Sequence, residues 1–208
     1  MGVRPSIEEI DHHVGESWKR AAEESEINFA DQNESHTLQR QVGSLVALYI
    51  DQVPSDEPLP LAVETTLSAP LVDPESGADL GIPLLGIVDL ILDEAAGPLV
   101  CDFKTAARGG APLEIVNEVQ LTSYAWLLRH SHGRAESALE IRQLIKTKTP
   151  RVEFHRYRAR EEVHFRRLFS MLRAYLEDLE RGRFIHRPGF GCTMCPYAER
   201  ECQRWSGG

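Results

Sequence analysis

Two apolar runs, Pro83 to Leu92 and Leu99 to Thr105, stand on either side of the short connection Ala95-Ala96-Gly97-Pro98, and both carry ionisable residues inside them. Neighbouring β-prone runs with so short a connection predict a hairpin. Burying a charge in such strands is costly unless it is paired or bound to metal. Successive strand residues point to opposite faces, so Asp102 and Lys104 project together while Cys101 and Phe103 face the other way. Asp89, at the end of Gly86-Ile87-Val88-Asp89, reaches the same place across the hairpin. The pattern predicts two carboxylates and an ammonium converging at the edge of an apolar sheet. Oxygen ligands of this kind suit Mg2+ or Mn2+. Such an ion polarises a phosphoryl oxygen and lowers the pKa of a bound water. A lysine beside it orients that water or offsets developing charge. The plain alternative is a surface Asp–Lys pair with an unrelated turn aspartate. Val88, Leu90, Leu99, Val100 and Phe103 argue for a buried hairpin instead.

The rest of the chain frames this hairpin. Ile7 to Ala22 has helical spacing, and Ser6 with Glu9 forms a capping box at its start. A second helix is expected over His36 to Gln52, ended by Pro54, Pro58 and Pro60. Leu61 to Leu71 reads as a strand, and its Glu64 is either a third metal carboxylate or a solvent-facing residue. Glu114 to Arg129 reads as a helix with Val116, Val119, Tyr124, Leu127 and Leu128 in the core. Gln120 and Tyr124, four apart, share one of its faces. Strands over Ser137 to Thr147 and Arg151 to Tyr157 follow. A long helix over Arg160 to Arg181 comes next, with Val163, Leu168, Leu172, Tyr175, Leu176 and Leu179 inward and Gly182 as its C-cap. The order is two helices, three strands, a helix, two strands and a helix. It predicts an α/β fold with a central mixed sheet flanked by helices. The 208 residues suit one domain: a helical part over 1–58, a catalytic core over 59–185 and a cysteine tail over 186–208.

Charge is divided unevenly. Residues 1–99 carry 4 basic and 19 acidic side chains, a net of −15, whereas residues 100–208 carry 19 and 13, a net of +6. The surplus lies between Glu140 and Arg173, where ten Lys and Arg stand against four Glu. That stretch is either a surface for a polyanion or a solvated face balancing the acidic half. Lys146, Lys148, Arg151, Arg156 and Arg158 are the candidates for guiding a phosphate backbone. No apolar run approaches the ~18 residues a membrane helix needs. The polar, acidic N-terminus carries no visible secretory signal, so a cytoplasmic location is expected. Three of the four cysteines, Cys192, Cys195 and Cys202, crowd the C-terminus, which suggests a metal or iron–sulfur site rather than a disulfide framework.

Asp89, then Asp102-Phe103-Lys104, then Gln120 with Tyr124, in this order and with these elements between them, resemble the PD-(D/E)XK nuclease superfamily. Within it they are most similar to the RecB-like exonucleases, a branch that includes the CRISPR adaptation nucleases. The resemblance implies a restriction-endonuclease-like core. It also implies that Asp89 and Asp102 bind the divalent metal, that Lys104 is catalytic, and that Gln120 and Tyr124 line the side facing DNA. Cys192-x2-Cys195-x6-Cys202 matches the family's tail spacing, where three cysteines and a fourth from an N-terminal helix hold a 4Fe–4S cluster that staples the tail. Two family features are absent here. No cysteine precedes Cys101, and Ala47 stands where an upstream helical histidine is expected, with His12, His13 and His36 as candidates by proximity only. A chain lacking the family's first helix, or one half of a split protein, would account for both. Zn2+ on the three cysteines with His186 is the lesser alternative. The expected function is a metal-dependent deoxyribonuclease, an exonuclease of repair, recombination or CRISPR-type processing, with DNA and a helicase or recombination protein as partners. The alternative is an inactive module of the same fold that binds DNA or docks on a helicase-like partner.

Overall fold

The computed structural model describes residues 4–24, 29, 31–183, 189–198 and 202. Helices α1 (Ile7–Glu24) and α2 (Gln32–Gln52) form a hairpin ahead of the sheet. The capping box is present: Glu9 N–H donates to Ser6 Oγ at 3.2 Å, and Ser6 N–H to Glu9 Oε2 at 2.8 Å. Asp31 caps α2 by accepting from Glu34 N–H at 2.8 Å.

Strands β1 (Pro60–Val72), β2 (Asp79–Glu94), β3 (Gly97–Ala106), β4 (Ala138–Ile145) and β5 (Arg151–Arg158) form one sheet in chain order. Pairing is antiparallel except between β3 and β4, which are parallel and joined across α3 (Glu114–His132). The sheet is therefore mixed, as the element order predicts. Helix α4 (Glu162–Glu180) follows β5, and a short 3-10 turn covers Phe190–Met194. Among the described residues, no helix is long and apolar enough to cross a membrane.

The sheet has two unlike faces. On one, α3 and α4 cover Val88, Ile91, Val100, Leu139 and Ile141 with Leu121, Leu127, Leu128 and Phe169, all 1% exposed or less. Burying each such side chain contributes roughly 1.5–3 kcal/mol. On the other, Leu90, Leu92, Leu99, Cys101 and Ala138 form a smaller cluster with Phe103 against it. Cys101 and Phe103 thus lie together, on the face away from α3, as strand alternation requires.

Several inward assignments fail. Val116 and Val119 are 74% and 48% exposed, and Val163, Tyr175 and Leu179 are exposed as well. Helix α3 lies obliquely over the sheet, with Tyr157 Oη donating to Pro112 O near its start and Trp126 Nε1 donating to Pro70 O further along. In its first turns Ile115, Val116 and Val119 face solvent. Strand β2 also begins four residues before Pro83. Gly81, at φ +74°, lets it jog where the β1–β2 register shifts between Pro70 and Val72.

Candidate active site

The hairpin of β1 and β2 bends at one level. On β2, Leu84, Val88 and Ile91 all belong to the α3 face, so alternation slips by one between Val88 and Ile91. On β1, Ala62, Leu67, Ala69 and Leu71 belong to that face, and the slip falls near Glu64, whose φ is +45°. Left-handed backbone at a residue other than glycine is uncommon and marks a deliberate distortion. Val63 pairs with Leu90 and Thr65 with Val88, which sets Glu64 opposite Asp89.

Between β2 and β3, pairing stops at Leu90–Cys101. One residue beyond, the Asp89 carboxylate replaces the missing ladder bond: its Oδ2 accepts from Phe103 N–H at 2.8 Å. The chain is thereby held open at Asp89, with its carboxylate against the strand that carries Asp102 and Lys104.

Asp102 is 2% exposed and Lys104 38% by side chain, and the ammonium lies 3.0 Å from Oδ2 and 3.2 Å from Oδ1. Gln120 of α3 completes the arrangement. Its Oε1 accepts from Lys104 Nζ at 2.9 Å, while its Nε2 donates to Asp102 Oδ1 and to Tyr124 Oη, each at 2.9 Å. Turning this carboxamide over would set oxygen against carboxylate and NH2 against ammonium, so the geometry fixes its orientation. Burial pushes the Asp102 carboxyl above its usual range. The Lys104 ammonium pulls it down, and the charge of Asp89 pushes it up again. The Tyr124 phenol is likewise raised by burial and stays protonated.

Helix α3 reaches the sheet this closely because β2 has glycine at 86. A Cβ there would stand 2.7 Å from Leu127 Cδ1 and 3.8 Å from the Tyr124 ring. The glycine of Gly86-Ile87-Val88-Asp89 therefore serves the packing of the helix that carries Gln120 and Tyr124.

Asp102 Oδ2 is buried without an aligned hydrogen-bond donor, although the ammonium is near it. A buried carboxylate oxygen in this condition, beside a second carboxylate and at the mouth of a sheet, fits a hard divalent cation. Asp89 and Asp102 are the residues that would hold it. Glu64 is exposed and does not join them: among the described residues, no three of His, Cys, Asp and Glu are grouped to hold a metal ion. His12, His13 and His36 are exposed on α1 and α2, and among the described residues they are not grouped with these carboxylates. Cys192, Cys195 and Cys202 form no disulfide, and among the described residues they are not gathered into a metal-ligand set. No chemical step here involves an iron–sulfur cluster or a zinc ion. His186 lies outside the described residues.

Two features had no motif to reveal them. Gln143 pairs in register with Lys104, is 8% exposed, and among the described residues leaves its Oε1 without a partner. Phe103 contributes through its backbone N–H alone, which no side-chain pattern reports.

A model of the PD-(D/E)XK nuclease superfamily matches residues 3–203. Among solved structures, a Eubacterium rectale protein whose name proposes an exonuclease is 11% identical. The match covers 94% of this chain and 82% of that one at a TM-score of 0.56, a likeness of fold. The crystal structure of SSO0001 is 19% identical over 66% of this chain, with a TM-score of 0.43. The chain spans 57% of the length of that protein. No curated protein matches at a significant level.

Proposed function

From a chain that belongs to the PD-(D/E)XK nuclease superfamily, we infer a divalent-metal-dependent nuclease that hydrolyses phosphodiester bonds in DNA. The observation that carries this reading is the Asp102–Lys104–Gln120–Tyr124 cluster, with Asp89 locked beside it on Phe103 N–H. Asp89 and Asp102 would hold Mg2+ or Mn2+, which would supply positive charge to the phosphoryl group and acidity to water.

The chain's own residues set the rest. Lys104 is held from two sides, by Asp102 and Gln120, so its ammonium is aimed before substrate arrives. It faces the place where negative charge grows on the phosphoryl oxygens as water adds and the bond to the leaving oxygen breaks. Gln120 fixes both Asp102 and Lys104. Tyr124, whose oxygen accepts from Gln120, keeps its own proton to donate toward substrate. Action at strand ends follows from the resemblance to RecB-like exonucleases and agrees with the name of the Eubacterium rectale protein. Roles in repair, recombination or CRISPR-type processing, and a helicase partner, are implications of the same resemblance.

A second reading has one observation in its favour: Ala47 and the ungrouped Glu64 leave two carboxylates where three ligands are expected. In that reading the fold binds DNA without cutting it. Labelled single- and double-stranded DNA incubated with Mg2+, Mn2+ or EDTA separates the two. Metal-dependent cleavage lost in Lys104→Ala supports the nuclease. Binding without cleavage, or cleavage indifferent to Lys104, overturns it.

A further inference from the structure

The cations of the basic stretch are not equivalent. Arg156 is committed to Glu94, Arg160 to Glu114, Arg167 to Glu118 and Arg173 to Asp73. Lys146, Lys148 and Arg108, by contrast, are exposed and, among the described residues, have no carboxylate partner. Topology brings these three together. Strands β3 and β4 run parallel and end level at Ala106–Ile145, and Lys146 N–H donates to Ala106 O at 2.9 Å. The loop after β3 carries Arg108, and the loop after β4 carries Lys146 and Lys148. Lys104 lies on β3 only two residues before that shared edge, about 7 Å by strand rise.

The first loop is tied down rather than free. Gly110 N–H donates to Glu153 Oε2 at 3.4 Å, and Gly110 adopts φ +128°, which favours glycine. At Gly109 the Arg151 guanidinium lies against the backbone so closely that a Cβ would stand 1.9 Å from it. Glu153, the carboxylate of this edge, is engaged by Arg151, His155 and Gly110. The backbone next to Arg108 is therefore held at the edge from which the loop of Lys146 and Lys148 also leaves, and Glu153 is already engaged by other groups.

We propose that Arg108, Lys146 and Lys148 form a phosphate track that holds the backbone of the substrate strand as it leaves the Lys104 site over the β3–β4 edge. This rests on the nuclease reading and adds to it the surface and the side from which the strand is gripped. It also divides the basic stretch, because Arg156 and Arg158 stand at the far end of β5, opposite Ala138 and Glu140 of β4, where they cannot serve the same strand.

The test measures binding of a fluorescein-labelled oligothymidylate of about 20 nucleotides by fluorescence anisotropy, in EDTA so that no cleavage occurs, over a series of salt concentrations. Each phosphate neutralised on a single strand contributes about 0.7 to the slope of log K against log salt. The Arg108→Ala/Lys146→Ala/Lys148→Ala variant is expected to lose about 2 from that slope, and roughly a hundredfold in affinity near 50 mM salt. Arg158→Ala should leave the slope unchanged, and matching circular dichroism melts report that each variant is folded. Wild-type binding with an unaltered slope in the triple variant overturns the track and leaves the nuclease reading standing. A wild-type chain that binds no strand overturns the track as well, while the nuclease reading stands or falls on the cleavage assay above.

Discussion

The two faces of β3 and β4 each bury a polar cluster, and they are resolved differently. On the face away from α3, Arg142 is 2% exposed and spends its guanidinium fully: Nε donates to Glu140 at 2.8 Å, while its terminal nitrogens hold Glu57 and Tyr49. On the α3 face, Lys104 offers a compact ammonium to Asp102 and Gln120, and Asp102 Oδ2 is left without an aligned donor. Each cluster sets two carboxylates against one cation, so charge does not distinguish them. Donor geometry does. A planar guanidinium satisfies its neighbours bidentately and clamps α2 to the sheet, whereas the ammonium leaves a buried oxygen for something else to satisfy. A closed network is a fastening, and an open one is a site.

The largest effect that separates the faces is on cleavage. Asp102→Asn should reduce single-turnover cleavage by about 10²–10⁴-fold while its melting temperature stays at or above that of the wild type. A variant that melts much lower would mean that Asp102 is a fastening too. Next in size, Arg142→Met should cost about 3–5 kcal/mol in urea unfolding, because it strands Glu57 and Glu140. A cost below 1 kcal/mol would erase the contrast. Third, Mn2+ at a hundredfold excess over its dissociation constant should stabilise the wild type by about 2.7 kcal/mol. Glu57→Gln should keep that increment, and Asp102→Asn should lose it. Fourth, Gly86→Ala drives a methyl into Leu127 and should cost about 1–3 kcal/mol, measured by denaturation, with cleavage falling as α3 shifts Gln120.

The smallest effect is a difference in acid response. The hydrogen bond from Arg156 holds Glu94 below its ordinary range. Its stabilisation is therefore present above the unfolded pKa and lost as pH falls through the lower folded value. Asp102, raised by burial, has the opposite sign: with metal chelated, its penalty is full above the raised folded value and fades on acidification. Melting curves in EDTA between about pH 7 and pH 2 should show Glu94→Gln less acid-sensitive than wild type at the acid end and Asp102→Asn more so. Identical profiles would remove the electrostatic difference between the clusters.

Local patterns in the chain announced much of this. Period-2 alternation separated Asp102 and Lys104 from Cys101 and Phe103, and the four-residue spacing of Gln120 and Tyr124 put them on one helix face. Ser6 and Glu9 fixed the start of α1. What misled was apolar periodicity taken as burial: Val116 and Val119 continue the apolar stripe of α3 but are exposed. The bend at Glu64 and Asp89 was hidden as well, because a one-residue slip leaves no mark in composition.

The sequence by itself determined the elements, their order and the residue types that could meet at the hairpin, since these depend on neighbours within a few positions. Only the tertiary structure decided which polar groups are satisfied. Arg142 finds Glu57 and Tyr49 from 85 and 93 positions away, and Lys104 finds Gln120 from 16. The loops that carry Arg108, Lys146 and Lys148 leave one edge because two parallel strands end level. Whether a buried charge becomes a fastening or a site depends on the donors that distant segments bring to it. Those distances are set when the sheet and helices pack, not by the local chain.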